Sequence, residues 1–372
     1  MSRTLVIHVG AQKCASSSLQ ASLRLVQKAS NDRFAFCFLN PAQLRAADLS
    51  LSKQKEGAFD YIDRVLAAQS VPQVVVSHEM LGNRPALVAA IAERAVRHFS
   101  FDRVVISGYS RLQSNYHVSA FAQWYFRDRK KLLSDVKVFR ELGLPWRKFT
   151  AQERSLFVLA LSGKDRSWHA NYKRFMAGVQ TLADCVQVVS CHIPTRALPF
   201  SLLEHFVAST GLSLDLADLA SMDVRKNQSF HPVLIHGLST FSSDLPGHRQ
   251  SFFPGPHEGN RWLFRVCDRL VADGDGGVIS EFETLFSPDF ERCLLDHLDC
   301  RTAEDNKKYC DLMAVDYRYF EPSAKASLQS AEALKQRAAQ VADQRSLKQI
   351  ERLNREAENA CFRAARLEII ST

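Results

Sequence analysis

Short apolar runs alternate with amphipathic stretches over the first 210 residues of the chain. Four runs rich in Val and Ile end in glycine or a polar residue, which is typical of buried parallel strands: residues 4–10, 72–79, 102–109 and 185–192. Apolar positions spaced three or four apart predict helices at residues 16–29, 58–68, 84–98, 113–129 and 202–210. This alternation predicts an α/β fold with a central, mostly parallel sheet and helices on both faces.

The regular alternation stops after about Asp223. Residues 240–262 are rich in Ser, Pro, Gly and His and predict a long loop, and helices are predicted at 261–272 and 288–298. The segment from Ser323 onward lacks Pro and Gly and predicts a long helix or a helical hairpin. We therefore expect an α/β core over 1–235, its loop-rich and helical completion over 236–322, and a C-terminal helical extension over 323–372.

The C-terminal extension carries an apolar stripe with a spacing of three or four residues. This stripe fits packing on the parent domain as well as a homo-oligomer formed through a coiled coil. Its members are Ile350, Leu353, Ala357, Ala360, Ala364 and Leu367.

Composition excludes several classes of protein. Hydrophobic residues make up 46% of the 372 positions and charged residues 24%, as in ordinary globular proteins. No run of about 18 apolar residues is present, so no transmembrane segment is predicted. The apolar stretch before Gly10 is too short for the core of a signal peptide. Nine cysteines without a CxxC pair predict a cytoplasmic protein with neither a disulfide framework nor a structural zinc site.

The net charge is modestly positive. Lys and Arg number 48 against 40 Asp and Glu, which suits an anionic ligand but is too small an excess to predict nucleic-acid binding. Residues 127–148 hold eight basic and three acidic side chains. This basic segment is either a solvated helix face or a dock for an acidic or carbohydrate acceptor, with Trp124, Tyr125 and Trp146 as stacking surfaces.

The segment after the first strand carries the most informative pattern. A strand ends at Gly10, a tight turn holds Lys13, and three serines open a helix. Backbone N–H groups at a helix N-terminus attract anions, and a lysine on the loop neutralises phosphate charge. The order of residues differs from GxxxxGK[ST], because the lysine comes before the small residue Ala15 as well as the serines and lies three positions after Gly10. A plain turn with serine as the helix N-cap is the alternative.

These residues resemble a known family. Lys13-Cys-Ala-Ser-Ser-Ser-Leu-Gln20 is similar to the K-x-G-T-T-S-L-Q loop of sulfotransferases, which binds the 5′-phosphosulfate of 3′-phosphoadenosine 5′-phosphosulfate (PAPS). The family also places an Arg and, eight residues later, a Ser after its third strand to bind the 3′-phosphate. Arg111 and Ser119 match that spacing.

Two further stretches resemble bacterial members of the family. Val75-Val-Ser-His-Glu79 is similar to their S-x-E strand end, and Arg225-Lys-Asn-Gln-Ser229 to their late R-x-N-x-S segment. The resemblance covers roughly residues 4–230. It implies a three-layer P-loop-like fold and a PAPS-dependent transfer to an acceptor hydroxyl that leaves 3′,5′-adenosine bisphosphate and needs no metal. The binding residues implied are Gln12, Lys13, Cys14, Ala15, Ser16, Ser17, Ser18, Arg111, Ser119, Arg225 and Lys226.

Two points within this resemblance concern single residues. The loop glycine of the family is Ala15 here, which is strained if its φ is positive. For the catalytic base, the resemblance favours Glu79, whereas His78 has the ordinary pKa better suited to neutral pH. Lys13 is the expected catalytic cation that stabilises the leaving oxygen.

Two other classes of protein stay open at this stage. A P-loop nucleotide kinase or NTPase would need GxxxxGK[ST] and a strand ending in a metal-binding Asp, and neither is present. A non-catalytic protein with a sulfotransferase fold is the other alternative, with Ala15 as its sign. For the sulfotransferase, the expected acceptor is a hydroxyl on a carbohydrate or glycoconjugate, or on another small molecule, and an acidic acceptor would suit the basic segment.

Overall fold

The computed structural model describes residues 2–10, 14–30, 32–53, 57, 59–122, 125–193, 201–214, 219–224, 232, 233, 235–237, 239 and 276–370. Its strands are β1 (Thr4–His8), β2 (Phe34–Phe38), β3 (Gln73–Ser77), β4 (Arg103–Ser110) and β5 (Val186–His192). Its α-helices are α1 (Ser16–Ala29), α2 (Pro41–Ser52), α3 (Asp60–Ala67), α4 (Pro85–Phe99), α5 (Gln113–Phe121), α6 (Arg129–Glu141), α7 (Ala151–Ser162), α8 (Trp168–Gly178), α9 (Leu202–Thr210), α10 (Gly276–Leu285), α11 (Pro288–Met313), α12 (Ala331–Gln344) and α13 (Leu347–Ile370).

The strands form one parallel sheet in the order β2-β3-β1-β4-β5. The predicted α/β class and parallel sheet are thus confirmed, and all four predicted strands are present. Strand β2 was not predicted from the sequence. Its residues, Phe-Ala-Phe-Cys-Phe, include no β-branched side chain.

Helices cover both faces of the sheet. The connection from β1 to β2 runs in one direction along the sheet and that from β3 to β4 in the other. Right-handed crossovers therefore place α1 and α4 on opposite faces. Helix α9 packs beside α1, and α2, α3 and α8 pack beside α4. The chain therefore leaves β1 toward one face of the sheet and leaves the neighbouring β3 toward the other face. Parallel sheets form ligand crevices at the carboxyl ends of such a pair of strands.

The chain divides into two compact units that interleave along the sequence. The first consists of residues 1–112, 167–228 and 303–321 and holds the sheet; the second consists of residues 113–166, 229–302 and 322–372. The sequence predicted consecutive segments instead. The difference arises because the C-terminal helices pack with residues 113–166, far away in the sequence.

The described part of the second unit is mainly helical and contains two apolar clusters. One joins residues of α6, α7, α11 and α12 around Phe139 and Phe157, and the other joins residues of α5, α10 and α13 around Phe126 and Phe286. The segment from Ser323 onward forms two helices, α12 and α13, which join different apolar clusters. Four members of its apolar stripe are fully buried in the second cluster: Ile350, Leu353, Ala357 and Ala360. The stripe therefore packs within its own unit at these positions.

Several predicted helix boundaries need correction. The predicted helix 113–129 is interrupted: α5 ends at Phe121, a 3-10 turn spans Tyr125–Arg127, and α6 begins after Asp128, which caps it. The helix predicted at 288–298 continues to Met313. The predicted loop 240–262 and helix 261–272 lie outside the described residues. In the described part of the chain, no helix is long and apolar enough to cross a membrane.

Candidate functional site

The end of β1 and the start of α1 approach each other closely. Gly10 has a φ of +31°, and a Cβ at this position would lie 2.4 Å from Ser16 Oγ and 3.1 Å from His8 Cε1. Only glycine fits such a position. Gly10 therefore packs directly on Ser16, the first residue of α1. The predicted binding residues Gln12 and Lys13 lie outside the described residues.

Ala15 begins helix α1 in a strained conformation. It is the N-cap residue and has φ 60° and ψ 13°, the left-handed region that alanine avoids. The alternative of a serine N-cap is wrong, since Ser16 is already helical and an alanine side chain cannot accept a capping hydrogen bond. Cys14, Ser16 and Ser18 are buried around this turn, and Ser17 is half-buried. The helix N-terminus thus carries the three predicted hydroxyl-bearing residues and no acidic residue in its first turn.

Glu79 lies beside α1, at the carboxyl end of the neighbouring strand β3. The Gln20 amide of α1 donates hydrogen bonds to Glu79 Oε2 at 3.4 Å and to Ser77 Oγ at 3.1 Å. Glu79 begins the 3-10 turn Glu79–Asn83, and Gly82 of this turn packs on the end of β1. The packing is so close that a Cβ at Gly82 would lie 2.7 Å from the Gly10 carbonyl oxygen. The structure therefore places Glu79 beside α1 and its turn on the end of β1.

His78 has a capping role that limits its use as a base. Its Nδ1 accepts a hydrogen bond from the Met80 N–H at 3.0 Å, and its ring packs on Phe38 with centroids 5.1 Å apart. Burial lowers the pKa of His78, against a smaller opposing effect of the Glu79 charge. In the neutral ring, Nδ1 is the acceptor and Nε2 carries the proton. No ring nitrogen is then left to accept a proton from a substrate, which favours Glu79 among the two predicted bases.

A row of buried polar side chains runs under this region on the α1 face of the sheet. Ser77, His8 and Ser107 stand in register on β3, β1 and β4. His8 Nδ1 lies 2.7 Å from Ser77 Oγ, and burial lowers the pKa of His8 to about 4. Within the described residues, His8 Nε2 and Ser107 Oγ make no hydrogen bond. The three residues lie far apart in the sequence, and only the strand register reveals the row.

The other predicted site residues belong to several parts of the chain. Arg111 follows β4 in the first unit, and its carbonyl accepts a hydrogen bond from Trp168 Nε1 at 2.9 Å. Ser119 lies on α5, in the second unit. Arg225 and Lys226 lie outside the described residues. The two halves of the predicted 3′-phosphate site thus belong to different units, and their pairing stays a prediction.

The basic segment 127–148 does not offer Trp146 as a free stacking surface. The guanidinium groups of Arg140, Arg147 and Arg154 lie 5.8, 5.4 and 5.4 Å from the centroid of its ring. Tyr125 packs against the apolar cluster of the second unit, and Trp124 is not among the described residues. The aromatic part of the predicted acceptor dock is therefore occupied by the chain's own side chains at Trp146.

The arrangement can bind an anion and move a proton. The N-terminus of α1 attracts negative charge, and Glu79 supplies a carboxylate at the carboxyl end of the adjacent strand. Among the described residues, no group of three or more His, Cys, Asp or Glu side chains is placed to hold a metal ion.

Comparisons of the chain with protein-family models, with curated proteins and with solved structures found no match.

Proposed function

We propose that this chain is a sulfotransferase that transfers the sulfonate group of PAPS to an acceptor hydroxyl by in-line displacement. One observation carries the proposal: Gln20 links the Glu79 carboxylate to the helix whose N-terminus follows the lysine loop. An anion site and a general base thereby share one edge of the sheet, as the transfer requires.

The fold and the residues of the site fit PAPS as the donor. The strand order β2-β3-β1-β4-β5, with the loop-bearing strand at the centre, suits a P-loop-like fold. Ser16, Ser17 and Ser18 would hold the 5′-phosphate with Gln12, Lys13, Cys14 and Ala15. Arg111 and Ser119, with Arg225 and Lys226, would hold the 3′-phosphate. When bound, PAPS supplies an activated sulfonate whose leaving group is a phosphate.

The protein's own groups then have three tasks. Glu79 removes the proton of the acceptor hydroxyl. The adjacent His78 is not available for this task, because its Nδ1 already accepts the hydrogen bond that caps the turn. Lys13 stabilises negative charge on the leaving oxygen, so no metal ion is needed. The serine hydroxyls and the N–H groups of α1 orient the phosphate. We propose a carbohydrate or glycoconjugate as the acceptor, because the basic segment 127–148 suits an acidic polyhydroxyl compound.

Calorimetry on the full chain tests the donor. We expect 3′,5′-adenosine bisphosphate to bind with a Kd of about 1 μM, with ATP and ADP much weaker. Lys13→Ala and Arg111→Ala should weaken this binding, whereas Glu79→Gln should leave it intact. A preference for ATP with Mg²⁺ would indicate a kinase or NTPase, and the absence of any nucleotide binding would indicate a non-catalytic protein.

Radiolabelled PAPS tests the transfer. The wild-type chain should label at least one member of a panel of carbohydrate, lipid-linked sugar and phenol acceptors. Glu79→Gln should abolish the labelling while His78→Gln, which keeps a capping acceptor, retains most of it. Normal turnover by Glu79→Gln would remove Glu79 as the base.

A further inference from the structure

We propose that Gln20, Ser77 and His8 form a buried hydrogen-bond chain that positions the Glu79 carboxylate, with Gln20 as the positioning residue that touches it. This hydrogen-bond chain runs from Glu79 after β3 to Gln20 on α1, and from there through Ser77 on β3 to His8 on the central strand β1. The proposal rests on the proposed function in one respect only, the role of Glu79 as the base.

The Glu79 carboxylate fixes the orientation of Gln20. An ionised carboxylate only accepts hydrogen bonds, so the amide nitrogen of Gln20 and not its oxygen must face Glu79. That nitrogen carries two protons. One points to Glu79 Oε2 at 3.4 Å and the other to Ser77 Oγ at 3.1 Å. Gln20 is itself buried and cannot turn its amide toward water.

The direction of donation continues into His8. Ser77 Oγ accepts from Gln20, so its own proton is available for His8 Nδ1, which lies 2.7 Å away. A ring that accepts at Nδ1 carries its proton on Nε2. Both Ser77 and His8 are fully buried, so water does not compete for these bonds. The low pKa of His8, about 4, agrees with a neutral ring.

The hydrogen-bond chain includes one of the two serines that flank His8 and excludes the other. Ser107 is the register partner of His8 on the other side, is also fully buried, and its Oγ makes no hydrogen bond with any described residue. Ser77 and Ser107 therefore form a matched pair. Both flank His8, but only Ser77 belongs to the hydrogen-bond chain.

The proton position on His8 tests the chain without any ligand. In ¹⁵N NMR spectra of histidine-labelled full-length protein near neutral pH, with the His8 signals assigned through His8→Asn, the proton should lie on Nε2. Ser77→Ala and Gln20→Met should move the His8 signals toward a mixture of the two neutral forms, and Ser107→Ala should not. A proton on Nδ1 in the wild type would overturn the proposal, as would an equal response to Ser107→Ala.

Kinetics with radiolabelled PAPS tests the positioning of Glu79. Gln20→Met keeps the length of the side chain but donates nothing. We expect kcat to fall about tenfold or more while the KM for PAPS and the affinity for 3′,5′-adenosine bisphosphate stay within about twofold. Ser107→Ala should change neither. If nucleotide affinity fell by the same factor as kcat, Gln20 would have a merely structural role, and the positioning role would be overturned. If the wild type turns over no PAPS, the proposed function fails. The NMR result alone then decides whether the hydrogen-bond chain exists.

Discussion

Gly82 packs directly on Gly10, so that the turn carrying Glu79 rests on the end of the central strand. A Cβ at Gly82 would lie 2.7 Å from the Gly10 carbonyl oxygen and 3.0 Å from that of Val9. Asn171 holds the same turn from α8 by donating to the Gly82 carbonyl at 3.1 Å. The position of Glu79 relative to the end of β1 thus depends on the absence of a side chain at residue 82.

Replacing Gly82 by Ala should disturb both stability and the site. The added methyl group meets backbone atoms, which cannot turn away, so we expect a loss of about 1–3 kcal/mol in the free energy of unfolding. Urea denaturation measures this loss. Gly277→Ala is the matched control, since a Cβ there meets nothing within 4 Å. A Gly82→Ala variant as stable as Gly277→Ala would contradict the close approach described above.

Replacing Ala15 by Gly should stabilise the chain. Alanine at φ 60° is strained by roughly 1–2 kcal/mol, and the greater freedom of glycine in the unfolded chain takes back part of the gain. The expected net change is a rise of about 0.5–1 kcal/mol in the free energy of unfolding. Affinity for 3′,5′-adenosine bisphosphate should stay equal or increase.

Ala314→Gly provides the control for this change, because Ala314 also has a positive φ, 52°, but lies outside the loop. It should stabilise to a similar extent and leave nucleotide affinity unchanged. Weaker binding by Ala15→Gly alone would mean that the strained alanine helps to hold the loop in its binding form.

Local sequence signals predicted much of the sheet and its flanking helices. Helices α1 and α9 have the predicted bounds, because Gly10 and Gly211 mark their neighbouring turns and their apolar spacing is regular. Strand β2 escaped prediction, since its five residues have neither alternation of polar side chains nor β-branching.

The site was only partly predictable. Glu79 and His78 are adjacent in the sequence, and nothing local separates the roles proposed for them. The difference comes from Gln20, which is 59 positions away from Glu79, and from a cap that His78 makes only once the turn has formed. The division of the chain into interleaved units likewise depends on contacts between distant segments, which no local pattern encodes.

Glu291 should make the stability of the second unit depend on pH. Burial, and secondarily the nearby Glu153 charge, raise the pKa of Glu291 from 4.5 to about 7. Below about pH 4.5 both the folded and the unfolded chain carry the proton, and no cost arises. As the pH rises from 4.5 to 7, the unfolded chain releases this proton more readily than the folded one. The folded state therefore loses stability over that window, by at most about 3 kcal/mol.

Glu291→Gln should remove this cost and keep the hydrogen bond that Gln152 donates to it. We expect the variant to melt at a higher temperature than the wild type near pH 8, with the difference shrinking toward pH 4.5. Glu283→Gln, an exposed change on α10, should have no such dependence. A gain that is the same at both ends of this pH range would exclude titration of Glu291 as its cause.

Arg345 should prove essential to the second unit. It holds Glu153 at two points, at 2.9 and 2.7 Å, and both side chains are buried; Arg345 also donates to the Lys148 carbonyl at 2.9 Å. Arg345→Met leaves a buried, uncompensated carboxylate and should cost about 3 kcal/mol or more in the free energy of unfolding. Adding Glu153→Gln should recover part of this loss, because glutamine still accepts the hydrogen bond that the Thr150 N–H donates to residue 153.

The same variants separate the two interpretations of the C-terminal extension. If α12 and α13 belong to the second unit, Arg345→Met lowers stability at every protein concentration, as urea unfolding at several concentrations will show. If the extension were instead a coiled-coil tail, the loss would be small and the oligomeric state would change with concentration. Lys308→Met, which breaks an exposed ion pair with Glu304, is the control and should leave the unfolding curve unchanged. Equal effects of the two substitutions would contradict the burial of the Arg345–Glu153 pair.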